Sequence, residues 1–197
     1  MSLIVAFKHN DRVYIGCDAL EKKDGNTYYF ENDSNRHVFE VPGINQMYMA
    51  IDGRMLYTNL MRTNNLIPNK VLKNSYCNFK FMVNTFVPRM FSLFNDRGLI
   101  RENKDGVPVM GGESLVTYGS KIFKIFSDGS VIESDDFAAI GIGSEYALAS
   151  LYTTTDISDP YERLCMALRA GIDNVIDADY PMFVTDTKSS EIKKVEK

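Results

Sequence analysis

Few side chains in this sequence have the chemistry to hold a metal or attack a substrate. It contains two histidines, His9 and His37, and three cysteines, Cys17, Cys77 and Cys165. A transition-metal site gathers imidazoles or thiolates at ligand spacing, and no cysteine pair stands at such spacing here, so no metal site is expected. The cysteines are odd in number, widely spaced and set in apolar surroundings, and they read as reduced core residues rather than a disulfide framework. Gly141-Ile142-Gly143-Ser144 carries the G-x-G of a phosphate cradle without the rest of a nucleotide fingerprint, and close packing of helix on sheet explains it better. No cofactor is implied. Asp18 reads first as a turn former at a strand end, Gly53 as a strand-to-helix cap, and Arg36 and His37 as solvated decoration of a strand.

The elements that would position these residues follow from composition and periodicity. The 197 residues are 45% hydrophobic and 24% charged, ordinary for a packed chain, and a single domain over 1–197 is expected. A net charge of −4 with no long basic run leaves no electrostatic footprint for nucleic acid or an anionic membrane surface. No stretch nears the roughly 18 apolar residues that cross a bilayer, and no signal peptide precedes the first strand-like run, so a cytoplasmic protein with peptide or protein partners is expected. Leu3 to Lys8 and Arg12 to Cys17 are β-branched and aromatic runs about His9-Asn10-Asp11, an opening hairpin. After a polar interruption from Glu21 to Asn26, Thr27 to Phe30, His37 to Val41 and Gln46 to Ile51 read as further strands.

The period then changes. Met55, Leu56, Leu60 and Met61 fall at helical spacing, and Phe79, Met82, Val83, Phe86, Met90, Leu93 and Phe94 repeat it, with a kink or break expected at Pro88. Ser114 to Tyr118, Ile122 to Phe126 and Ser130 to Glu133 return to strands, the last pair joined at Asp128-Gly129. Phe137 to Ile140 is a further short apolar piece. Helices follow from Gly141–Ser144 to about Thr153, and from an Asp159 N-cap with Pro160 and Glu162 to near Asp177. Met182 to Thr185 closes the pattern, and residues 188–197 form a charged edge strand or frayed tail. Strands, two helices, strands, two helices is the order of an α+β fold: a four-layer αββα sandwich of two mainly antiparallel sheets flanked by helices.

This order and three local motifs resemble the proteasome β-subunits and the related HslV-type peptidase, members of the N-terminal nucleophile hydrolases. The motifs are Leu3 to Lys8 with Val13 to Asp18, Ile122 to Glu133 with Ala138 to Ala149, and Ala167 to Ile172 with Tyr180-Pro181-Met182. The resemblance implies that Ser2 is the nucleophile once Met1 is removed, and that its own α-amine, titrating near pH ~8, is the base that activates the hydroxyl. It further implies that Asp18 orients a neighbouring cation and that the Gly53 N–H stabilises the oxyanion. A lysine belongs in the strand near Arg36, where this sequence has Arg36-His37-Val38. Arg36 could supply a fixed charge but no proton shuttle, and His37 could shuttle but is mostly neutral at pH 7. Three polar supports of the family fall on Ile142, Val175 and Ala178, with Ser144, Asp173, Asp177 and Asp179 nearby in sequence. The implied function is a self-compartmentalising peptidase: a homo-oligomeric ring acting on peptide or unfolded protein, with an ATP-dependent unfoldase as a possible partner. A catalytically silent ring subunit and an amidase acting on a small amide are the alternatives.

Overall fold

The computed structural model describes residues 2–23, 25–30, 32, 34–67 and 77–197. The chain opens with β1 (Leu3–His9) and β2 (Arg12–Cys17), joined at Asn10, whose φ of 56° is the left-handed geometry that Asn tolerates. There follow β3 (Leu20–Lys23), β4 (Asn26–Tyr29), β5 (Val38–Glu40) and β6 (Met47–Ile51). Helix α1 spans Met55–Thr63, and α2 runs through residues 79–95. Short strands β7 (Arg101–Glu102) and β8 (Pro108–Val109) precede β9 (Ser114–Tyr118), β10 (Lys121–Ile125), β11 (Val131–Ser134) and β12 (Phe137–Gly141). Helices α3 (Ser144–Thr153) and α4 (Pro160–Ile172) lead to β13 (Met182–Asp186) and the edge strand β14 (Lys193–Val195).

Among the described residues ten of the strands form two five-stranded antiparallel sheets, ordered β12-β1-β2-β13-β14 and β11-β10-β9-β6-β5, and β3-β4 and β7-β8 pair separately. Side chains alternate across a strand, and β1 shows the result. Leu3, Val5 and Phe7 join a cluster beneath α3 and α4, while Ile4 and Ala6 join Ile15, Tyr48, Leu115 and Phe183 between the sheets. In β6, Met47, Met49 and Ile51 face Phe86, Met90 and Phe94 of α2, and Tyr48 and Ala50 face the other sheet. Strands buried on both faces read as continuous apolar runs, which is why these two stand out in the sequence. Helix, sheet, sheet, helix is the αββα sandwich that the order of elements in the sequence implied.

Several expected boundaries moved for physical reasons. Pro88 neither ends nor breaks α2. Ahead of it, Met82–Phe86 take a π turn in which the Val87 N–H donates to the Met82 carbonyl. That widened turn takes up the misfit of a proline ring against the preceding turn. Helix α4 stops at Ile172, not near Asp177, because the chain must turn back to bring the Asp179 N–H to Asp18. The polar stretch after Asp18 is itself a hairpin, β3 against β4, turning at Gly25 with φ 79°. The charged tail is tied down as β14 against β13.

Candidate active site

Ser2 lies at the entry to β1, fully buried, where the ends of both sheets meet. Its nitrogen donates to Asp52 Oδ1 at 3.0 Å, and its Oγ sits 2.9 Å from His37 Nε2. One residue on, the Leu3 N–H donates to Asp18 Oδ1 at 2.9 Å. The second oxygen of Asp18 accepts from Leu20 N at 3.2 Å and Asp179 N at 3.3 Å. Asp18 thus ties the start of β1 to the loop before β3 and to the segment before β13. Its carboxyl is buried, and burial outweighs those three donors to push its pKa up to about 8.

His37 is not the solvated strand residue that its sequence suggests. It is completely buried, its ring tilted by 53° to that of Phe30 at 5.5 Å between centroids. Burial, with the Arg62 charge adding to it, pushes its pKa down to about 3, so the imidazole is neutral near pH 7. Its Nδ1 is buried without a hydrogen-bond partner of good geometry among the described residues, the Leu20 backbone being the polar group that opposes the shift. Arg36, its neighbour, goes elsewhere: its guanidinium lies 5.6 Å over the Phe183 ring and donates to the Ile192 carbonyl at 3.3 Å. Of the two residues at the place of the absent lysine, His37 is therefore the one at Ser2.

Glycines set the close approaches. Gly141, with φ 79°, pairs with Leu3 across the sheet, and a Cβ there would lie 1.7 Å from the Ser2 carbonyl oxygen and 3.3 Å from Asp52 Cγ. Gly53, with φ 132°, and Gly112 let the step after β6 press against Gly111-Gly112, since a Cβ on Gly112 would sit 1.7 Å from the Asp52 carbonyl oxygen. The Asp52 N–H completes this junction by donating to Glu113 O at 2.9 Å. Asp52 itself was not singled out by its sequence context. The signal was an aspartate directly after a fully buried strand and before a glycine.

Ser144 begins α3 behind the left-handed Gly143 and makes no hydrogen bond to Ser2, Asp18 or His37. Ile142 and Val175 pack against the helix-side core and Ala178 is buried within it, so these positions are apolar in contact as well as in type. Asp173 accepts from the Tyr180 hydroxyl, Asp177 pairs with Lys22, and the Asp179 carboxylate accepts from the Tyr29 hydroxyl. Only the Asp179 backbone reaches the site, through Asp18. Beside Phe30 opens a cleft of about 930 Å³, lined by Glu21, Lys22, Tyr28, Arg54 and Leu56 among others. Among the described residues no cluster of side chains could hold a metal ion, and no helix is long and apolar enough to cross a membrane.

No protein-family model matches the chain, and no curated protein matches it. Solved structures do. Anbu, the ancestral β-subunit from Yersinia bercovieri, is similar at a TM-score of 0.71 and 13% identity, over 98% of this chain and 87% of that one. BPH of Thiobacillus denitrificans is similar at 0.68 and 19% identity, over 94% and 97%. HslV from Trypanosoma brucei is similar at 0.61 and 16% identity, over 93% and 98%. These likenesses are likenesses of fold.

Proposed function

We propose that this chain is a hydrolase of peptide or peptide-like amide bonds in which Ser2, freed of Met1, is the nucleophile. The contact of Ser2 Oγ with His37 Nε2 at 2.9 Å, at the start of a strand fixed by Asp18, carries this reading. The Oγ attacks the scissile carbonyl carbon as its proton passes to the Ser2 α-amine. The C–N bond then breaks as the ammonium returns that proton to the departing amine, leaving an ester on Oγ. Water, deprotonated by the same amine, cleaves the ester, releasing a carboxylic acid and regenerating Ser2. The Gly53 N–H is the donor assigned to the oxyanion. His37, neutral at pH 7, orients the hydroxyl and does not replace a lysine's charge. The cleft beside Phe30 would take the substrate chain. In this reading the working form is a homo-oligomeric ring in the cytoplasm, fed by an ATP-dependent unfoldase.

Intact-protein mass spectrometry with a serine- and threonine-reactive peptide electrophile tests the proposal. The expected result is loss of Met1 and one adduct on Ser2, absent from Ser2→Ala. Retained Met1, or a free Ser2 left unlabelled beside a labelled control peptidase, overturns it. That outcome would favour a silent assembly subunit, a reading supported by the missing cation and by the apolar packing of Ile142, Val175 and Ala178.

A further inference from the structure

Asp52 has no role in the chemistry set out so far, yet it is the group that the Ser2 nitrogen reaches among the described residues. In the chain that retains Met1 this nitrogen is a peptide N–H. Removal of Met1 turns the same atom into an amine, placing a titratable nitrogen 3.0 Å from a carboxylate oxygen. We infer that Asp52 is a positioning residue that grips the freed Ser2 amine as an ammonium and so makes its service as a base wait for alkaline pH. The inference rests on the processing of Met1 in the proposed function, but not on turnover.

The electrostatics follow from the neighbours. An opposite charge within about 4–6 Å favours the charged form and shifts a pKa by about 1–3 units. Asp52 faces the nitrogen directly. His37, from the segment before β5, faces the hydroxyl and is neutral near pH 7, and Asp18 is reached only through the Leu3 N–H. Among the described residues the side chains bonded to Ser2 are Asp52 and His37, and the Arg62 charge acts on His37. The carboxylate is itself held: its residue's N–H is bonded to Glu113, its carbonyl rests on Gly112, and its Cγ rests near Gly141. The carboxylate therefore approaches the amine from the sheet opposite the one that carries Ser2, at the junction of the two.

The amine can be titrated without any substrate. The chain is released with Ser2 at its N-terminus by cleavage of a fusion partner, and labelling of the amine by acetic anhydride is followed against pH by mass spectrometry of the N-terminal peptide. The labelling midpoint is expected to lie at least about one pH unit higher in the wild-type chain than in Asp52→Asn. His37→Gln, which removes no charge at neutral pH, is expected to keep the wild-type midpoint. Equal midpoints in wild type and Asp52→Asn, with circular dichroism showing both folded, overturn the inference. If the electrophile fails to label Ser2 while the midpoints still differ, the hydrolase reading falls and the grip of Asp52 on the amine stands. Where turnover is measured, the rising limb of kcat/KM against pH should move down with the amine in Asp52→Asn.

Discussion

Two buried titratable groups flank Ser2, and their shifts oppose each other. Asp18 is pushed up from 3.8 to about 8, so the stability it contributes is complete below its unfolded pKa and is lost as pH rises through the folded one. His37 is pushed down from 6.5 to about 3, so its contribution is complete above its unfolded pKa and is lost as pH falls through the folded one. Between about pH 4 and 6.5 the folded chain holds one more proton on Asp18 and one fewer on His37, and the two slopes cancel. From about 6.5 to 8 only Asp18 acts, and stability falls. Tm measured against pH should therefore be flat and then decline from these two groups. Asp18→Asn should lose the decline at its upper end, and His37→Gln should decline across the whole range from about 4. An Asp18→Asn variant that keeps the wild-type fall from 6.5 to 8 would show that Asp18 is ionised in the fold.

Elements meet at the site through backbone that has no room for a side chain. Gly141→Ala would combine a φ of 79° with a Cβ overlapping the Ser2 carbonyl oxygen, and should cost more than about 3 kcal/mol by urea unfolding. Gly119→Ala, at φ 58° with open space around it, should cost only about 1–2 kcal/mol. Equal costs would mean that the clash at Gly141 relaxes freely. This level was partly legible in the sequence. The β1–β2 hairpin and β6 could be read because burial on both faces demands unbroken apolar runs. Strand β3 could not, because Glu21 and Lys22 give it the composition of a loop, whereas its partner β4 was read from Thr27 to Phe30. Asp18 and His37 were found through a resemblance, and the burial of His37 contradicted its plain reading. Asp52 pairs with Ser2 across 50 residues and between two sheets, which no spacing rule detects.

Over the whole molecule, apolar side chains stand exposed on both helical layers. Leu56 and Phe79 show on α1 and α2, Tyr146 and Tyr152 on α3, and Ile176, 87% exposed, beyond α4. Apolar groups standing singly at a surface are ordinary, and the proposed ring would cover some of these. Native mass spectrometry should find a homo-oligomer, and Tyr152→Asp with Ile176→Asp should shift it toward monomer with an unchanged circular dichroism spectrum. A wild-type chain that stays monomeric at tens of micromolar would remove the ring from the proposal. The strand that begins one residue after Ser2 is paired on both edges, with β12 and with β2. A hydroxyl mounted there has no hinge behind it. In the proposed hydrolase, travel that brings the reacting atoms together would fall to the incoming chain, and selection would rest on how a substrate bends into the cleft and not on how the protein closes around it.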